Sequence, residues 1–194
     1  MMRSAICSLF LLAFTALLAP GAKFDGSPSA PVRLELFSDF ECPHCRELHM
    51  GTMYLLKNEY VKQGKVYLMH HDIALPIHPH ARVAALYADA AQQIGKYDEV
   101  ANALFARQTE WSNSGNVDGA VAAVLTAADM TKVRALVSDK KVIAEFDADM
   151  AQAVKRQLQE TPTMVMIHKL KEYPVRGNVE YTFVKRFVDQ LLSK

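Results

Sequence analysis

Cys42-Pro43-His44-Cys45 constrains this chain more than any other stretch. Before it, Val32-Arg33-Leu34-Glu35-Leu36-Phe37 alternates apolar and charged residues and then turns apolar, which predicts a strand. After it, Met53, Leu56 and Tyr60 recur at spacings of three and four, with Leu48 and Leu55 beside them. That pattern predicts a helix to about Lys62, ended by Gly64. Pro43 fits the first turn of this helix, where a missing N–H leaves nothing unpaired. Both sulfurs then lie at a helix N-terminus, whose free N–H groups and positive partial charge favour a thiolate over a thiol. Two cysteines so spaced can close a small disulfide, and the first can attack other disulfides. The pattern reads as a redox pair rather than a staple.

The remaining cysteine supports that reading. Arg3, the apolar run Ala5 to Ala19 and then Pro20-Gly21-Ala22 predict an export signal over residues 1–22. The run is shorter than the roughly 20 residues a membrane-spanning helix needs. A cut near Ala22 removes Cys7 and leaves only Cys42 and Cys45. A bridge between these two closes a short loop and constrains the unfolded chain less than a long one would. The expected location is periplasmic or otherwise exported. The chain carries 22 basic against 21 acidic residues, with no long Lys/Arg cluster, so nucleic acid and an anionic membrane surface are not expected partners.

Residues 23–31, rich in Gly, Ser, Pro and Ala, read as a linker. Val66 to His70 predicts a second strand. Helical patterns follow: Val83 to Ile94, a stretch around Val100, Leu104 and Phe105, then Val117–Ala127, Met130–Val137 and Ile143 to Leu158. Ser112 to Asn116 reads as a loop, and Trp111 beside it as an anchor between helices. Thr163 to Ile167 and Glu172 to Val175 read as strands, and Tyr181 to Leu191 as a terminal helix. The order is β-α-β, helices, β-β-α, an α/β chain with a mixed sheet interrupted by a helical lobe.

Three segments are more specific: Phe37-Ser38-Asp39-Phe40-Glu41-Cys42-Pro43-His44-Cys45, Leu75-Pro76-Ile77-His78-Pro79-His80-Ala81, and Thr161-Pro162-Thr163. In this order the chain, from about residue 30 to its end, resembles the DsbA-like branch of the thioredoxin superfamily. The resemblance implies a thioredoxin fold, a central mixed β-sheet flanked by helices, over residues 32–75 and 160–194. An all-helical domain is inserted over 76–159.

The resemblance also implies roles. Cys42 corresponds to the exposed nucleophile and Cys45 to the buried resolving cysteine. His44 corresponds to the residue that stabilises the Cys42 thiolate. Pro162 corresponds to a cis-proline facing the pair, with Pro43, Thr161 and Thr163 beside it in substrate binding. Relatives place a buried acid at the position of Leu36, so Glu35, one residue off, is the candidate proton relay to Cys45. The implied activity is protein disulfide oxidoreductase, by dithiol–disulfide exchange: donation of the Cys42–Cys45 disulfide to reduced client proteins or peptides. A membrane reoxidase of the DsbB or VKOR type is the implied partner. The redox-active disulfide is the only redox group expected, with no other cofactor and no metal. A monomer is expected, because only about nine residues separate the signal from the first strand, too few for a dimerisation domain.

Alternatives stay open at this point. Thr161 before the proline is common in reductive and isomerising relatives, so a disulfide reductase or isomerase of the same fold is one. A redox-inactive peptide-binding chaperone module is another. Zinc held by Cys42 and Cys45 with His44 or His49 lacks a second CxxC or a well-spaced His pair. His70-His71-Asp72 and His78-Pro79-His80 read as a strand end and a Pro-punctuated loop, with His71 or His78 near the active-site rim.

Overall fold

The structure is a computed structural model that describes residues 23–194. The export signal expected over residues 1–22 lies outside the described residues. Five strands form one sheet: β1 (Phe24–Asp25), β2 (Val32–Ser38), β3 (Val66–Asp72), β4 (Thr163–His168) and β5 (Lys171–Arg176), in the order β1-β3-β2-β4-β5. Only β2 and β3 run parallel; Val32 pairs with Val66 and Ser38 with Asp72. β4 pairs antiparallel with β2 and β5. The helices are α1 (Pro43–Leu48), α2 (Tyr54–Leu56), α3 (Ala81–Gln92), α4 (Tyr97–Ala106), α5 (Gln108–Ser114), α6 (Val117–Ala122), α7 (Ala127–Leu136), α8 (Lys140–Lys155) and α9 (Tyr181–Leu192). Between β3 and β4 the chain is helical, so the sheet is interrupted as the sequence implied.

The expected linker is partly strand. Phe24 pairs with Met69 and Asp25 with Leu68, antiparallel to β3. Lys23, ahead of β1, is buried. Its ammonium meets Asp72 at 3.3 Å and Asp89 at 2.7 Å, and also pairs with Asp149. Burial alone would lower its pKa, but the three carboxylates raise it above the ordinary lysine value. Burial, partly offset by Lys23 and reinforced by Asp72 and Asp149, pushes Asp89 up to about 8. Lys23 is thus a charged plug between β3, α3 and α8.

The helix after Cys42 is not regular. α1 and α2 are joined by a wide π-helical turn at His49–Met53, and a second such turn at Lys57–Val61 closes the run. A wide turn keeps residues five apart on one face. That is the spacing of buried Leu48 and Met53, and again of Leu56 and Val61. The straight three-four pattern put Leu55 near the buried face, whereas it is 40% exposed. The loop expected at Ser112–Asn116 is shorter, because α5 continues through Ser114 and ends at Gly115 in a left-handed conformation (φ 73°). Trp111 is fully buried in α5, and its indole N–H donates to the Leu104 carbonyl at 2.7 Å.

One apolar core lies between the sheet, the α1–α2 run and α9: Leu34, Leu36, Leu56, Leu68, Met164, Val184 and Val188. A second fills the helical insert, around Leu104, Trp111, Val121, Val133 and Phe146. Phe40, Cys42 and Cys45 belong to the second, not the first. The turn that carries the cysteines is therefore packed into the insert.

Candidate active site

Cys42 caps α1 with an extended backbone (φ −76°, ψ 122°), and Pro43 opens the helix. The Cys42 carbonyl accepts from the Cys45 and Arg46 N–H groups at 3.1 and 3.2 Å. Both cysteines are free thiols, so the structure is of the dithiol form. Cys42, expected to be exposed, is buried at 6% because the turn packs into the insert, and Cys45 is buried at 1%; Pro43 and His44 lie open to solvent between them.

The two sulfurs have opposite surroundings. The Cys45 thiol donates toward the Cys42 sulfur, and this is the largest cause holding Cys42 down at about 5 from its ordinary 9.0. Burial opposes the shift, and Thr161 and the backbone N–H groups of Cys45 and His44 add to it. Burial pushes Cys45 well above the ordinary thiol value, and the hydrogen bond and negative charge of Cys42 push it further. The Asp39 N–H donates to the Cys45 sulfur at 3.4 Å. Cys42 is the sulfur arranged to ionise, and Cys45 the one arranged to keep its proton.

The late loop faces the pair. The Thr161–Pro162 peptide is cis, the isomer the resemblance implies. The Cys42 thiol donates to the Thr161 carbonyl at 3.4 Å. The Thr161 hydroxyl, buried beside the Cys42 sulfur, favours its thiolate. The Pro162 carbonyl is taken by the Gly177 N–H at 2.8 Å.

Three expected roles do not match the geometry. His44 was assigned to the Cys42 thiolate, but its imidazole turns one helical turn on, to Glu47 at 3.3 Å. What His44 gives the sulfur is its backbone N–H. Glu35 was assigned as relay to Cys45, but Arg156 holds its carboxylate at 2.6 Å and Arg33 lies 3.2 Å away. A strand alternates faces, so Leu34 and Leu36 enter the sheet core while Glu35 points to the α8 side. Thr163 was assigned to substrate binding, but it is 1% exposed on an interior strand paired on both sides. Its hydroxyl donates to the Glu160 carbonyl. Met164 and Met166 are equally buried and fill the core.

Sequence reasoning gave no role to the residues that fasten the turn. Asp39 is fully buried. Its Oδ1 accepts from the Glu41 N–H at 2.7 Å, and its Oδ2 accepts from Leu75 N–H and His78 Nδ1, both at 2.8 Å. Glu41 in turn accepts from the His80 N–H at 2.7 Å. His78 thus belongs to the active-site support, whereas His71 is held by Asp149 at 2.7 Å and stacks on Phe37. Gln108 of α5 donates to the Phe40 and Cys42 carbonyls at 2.7 and 2.9 Å. Among the described residues no group of three His, Cys, Asp or Glu is placed to hold a metal.

Comparison with known proteins agrees with this geometry. A thioredoxin family model matches residues 19–190. The "probable disulfide bond formation protein D" of Bacillus cereus is 25% identical over 175 residues, covering 87% of this chain and 78% of the relative. Among solved structures, alpha-DsbA1 of Wolbachia pipientis superposes with a TM-score of 0.72 at 20% identity, covering 89% of this chain and 91% of that one. Oxidised BdbD of Bacillus subtilis does so with a TM-score of 0.72 at 18% identity, covering 90% and 94%. The match of nearly the whole described chain, with the paired cysteines at the start of α1 and the cis-proline against them, shows that the chain belongs to the thioredoxin family, as a DsbA-like thiol–disulfide oxidoreductase.

Proposed function

We propose that the protein acts as an exported disulfide donor, oxidising client proteins through the Cys42–Cys45 disulfide. The observation that carries this is the asymmetry of the pair: a thiolate-stabilising site at Cys42 beside a buried, proton-retaining Cys45. A client thiolate attacks the Cys42 sulfur of the disulfide. The S–S bond breaks, its electron pair goes to the Cys45 sulfur, and Cys45 takes a proton. A second client thiolate then attacks the client sulfur of the mixed disulfide. The client disulfide closes and Cys42 leaves as a thiolate, with the remaining proton released to water. A low-pKa leaving group makes that last step fast. The reverse direction needs Cys45 to ionise in order to release a client, which its burial opposes.

Pro43, exposed beside Cys42, is the edge open to an extended client, and the buried Thr161–Pro162 segment backs the Cys42 sulfur. No metal, nucleotide or flavin enters these steps. The dithiol is returned to the disulfide by a membrane reoxidase of the DsbB or VKOR type. Export rests on residues 1–22, and no helix among the described residues is long and apolar enough to cross a membrane. A reductase or isomerase of the same fold is the second reading, favoured by a threonine, Thr161, before the cis-proline and in contact with Cys42.

The test mixes oxidised protein with a reduced two-cysteine peptide at pH 7 without other oxidant. One peptide disulfide should form for each protein disulfide lost. If the peptide stays reduced while the reduced protein cleaves insulin disulfides, the donor reading is wrong and the reductase reading holds.

A further inference from the structure

We infer that Gln108, a residue of the helical insert, is a positioning residue for the Cys42–Cys45 reaction, holding the turn in the geometry that stabilises the dithiol form. The inference rests on the dithiol–disulfide reading above and assigns part of its control to the insert.

Gln108 is 5% exposed at the first position of α5. Its side-chain amide nitrogen spans the two carbonyls on either side of Glu41, at Phe40 and at Cys42. Both amide hydrogens are used, so the grip is two-point and leaves the turn little freedom to rotate. The insert reinforces it with packing: the Phe105 ring lies 4.8 Å from the Phe40 ring, and Trp111 anchors α5 to the Leu104 carbonyl. Phe40 is thus held through both its ring and its carbonyl by neighbouring residues of α4 and α5.

The Cys42 carbonyl is a sensitive place to hold. It already accepts the first two N–H groups of the helix, from Cys45 and Arg46. Its direction therefore sets how α1 leaves the turn. It sets with it the aim of the His44 and Cys45 N–H groups that face the Cys42 sulfur. The Gln108 hydrogens also cover the negative ends of two carbonyl dipoles next to that sulfur. Removing them loosens the aim and uncovers the dipoles, and both changes disfavour a thiolate at Cys42. The disulfide form carries no charge there, so it loses less. The equilibrium between the two forms should move accordingly.

Gln108→Met keeps the length and bulk of the side chain and removes both donors. Wild type and variant are equilibrated with glutathione at pH 7, where protein disulfide plus two glutathione thiols gives protein dithiol plus glutathione disulfide. The variant should move toward the disulfide by about three- to tenfold, ~15–30 mV for this two-electron couple. Its melting temperature should fall more in the reduced than in the oxidised form. An equilibrium constant within about twofold of wild type, with both forms losing equal stability, would mean a structural hydrogen bond only and overturn the inference. If Gln108→Met does not fold, Gln108→Asn, whose shorter amide reaches one carbonyl, decides by the same comparison with a smaller shift expected. A wild-type protein that does not exchange with glutathione at all would sink the oxidoreductase reading itself, so the two failures read apart.

Discussion

Locking the redox state and varying pH should separate the thiolate from every other contribution to stability. In the reduced protein Cys42 has a folded pKa of about 5 against an ordinary value of 9.0. A depressed pKa stabilises the fold fully above the unfolded value, and the stability is lost as pH falls through the folded one. The window is therefore about pH 5 to 9, with a slope of up to about 1.4 kcal/mol per pH unit. At pH 7 the gain reaches ~2.7 kcal/mol, and solvent screening at the edge of the turn brackets it at about 1.5–2.7 kcal/mol. Chain entropy gives the oxidised form ~1.9 kcal/mol for a four-residue loop, the same at every pH. The gap between reduced and oxidised forms should thus favour the oxidised form at pH 4, close near neutrality and favour the reduced form by pH 8. Asp89, at about 8, titrates in both forms and drops out of the difference. Cys45, raised by burial, stays protonated in the folded protein through this range, so measurements should stop at pH 8. At about 2–4 °C per kcal/mol for a chain of this size, the relative melting temperatures should move by ~3–10 °C between pH 4 and pH 7. Differential scanning of the dithiol and the disulfide across that range reads it directly. A gap that stays constant from pH 4 to pH 8 would refute the reasoning.

Two further outcomes follow from the geometry. Cys45→Ser removes the resolving sulfur and should accumulate mixed disulfides through Cys42, seen as client adducts on non-reducing gels; adducts absent or mapped elsewhere would contradict the assignment. Lys23→Met strands Asp72, Asp89 and Asp149 around an apolar chain and should cost about 3–5 kcal/mol in urea unfolding; a loss below about 1 kcal/mol would show that the cluster is solvated.

Much of this arrangement was legible in the residues. The strand, Pro43 and the helix behind it located the cysteine pair, and Thr161-Pro162-Thr163 located the loop that meets it. What escaped depends on contacts between distant segments. β1 has two residues, too few for any periodicity, and exists through its pairing with β3. Lys23 looks like a surface lysine until three aspartates from β3, α3 and α8 converge on it. Glu35 failed as a relay because facing is set by the register of β2, which seats Leu36 opposite Met164 and leaves Glu35 to Arg156. Gln108 did leave a signal: it lies four residues after Leu104 and three before Trp111, on the apolar side of the chain. A polar residue in such a stripe needs a buried partner. Its partners, the Phe40 and Cys42 carbonyls, could be named only once the insert was seen to pack on the turn. Asp39 sits similarly between aromatic residues, and its partners come from the loop at Leu75 and His78.

The most direct measurement is competitive labelling of the reduced protein at pH 6 with limiting iodoacetamide, followed by peptide mapping. With a pKa of about 5, Cys42 is mostly thiolate at that pH, while a thiol at the ordinary 9.0 is ~0.1% ionised. The label should fall almost wholly on Cys42. Equal labelling of the two cysteines, or labelling chiefly at Cys45, would contradict the central claim that this turn makes Cys42 the reactive sulfur.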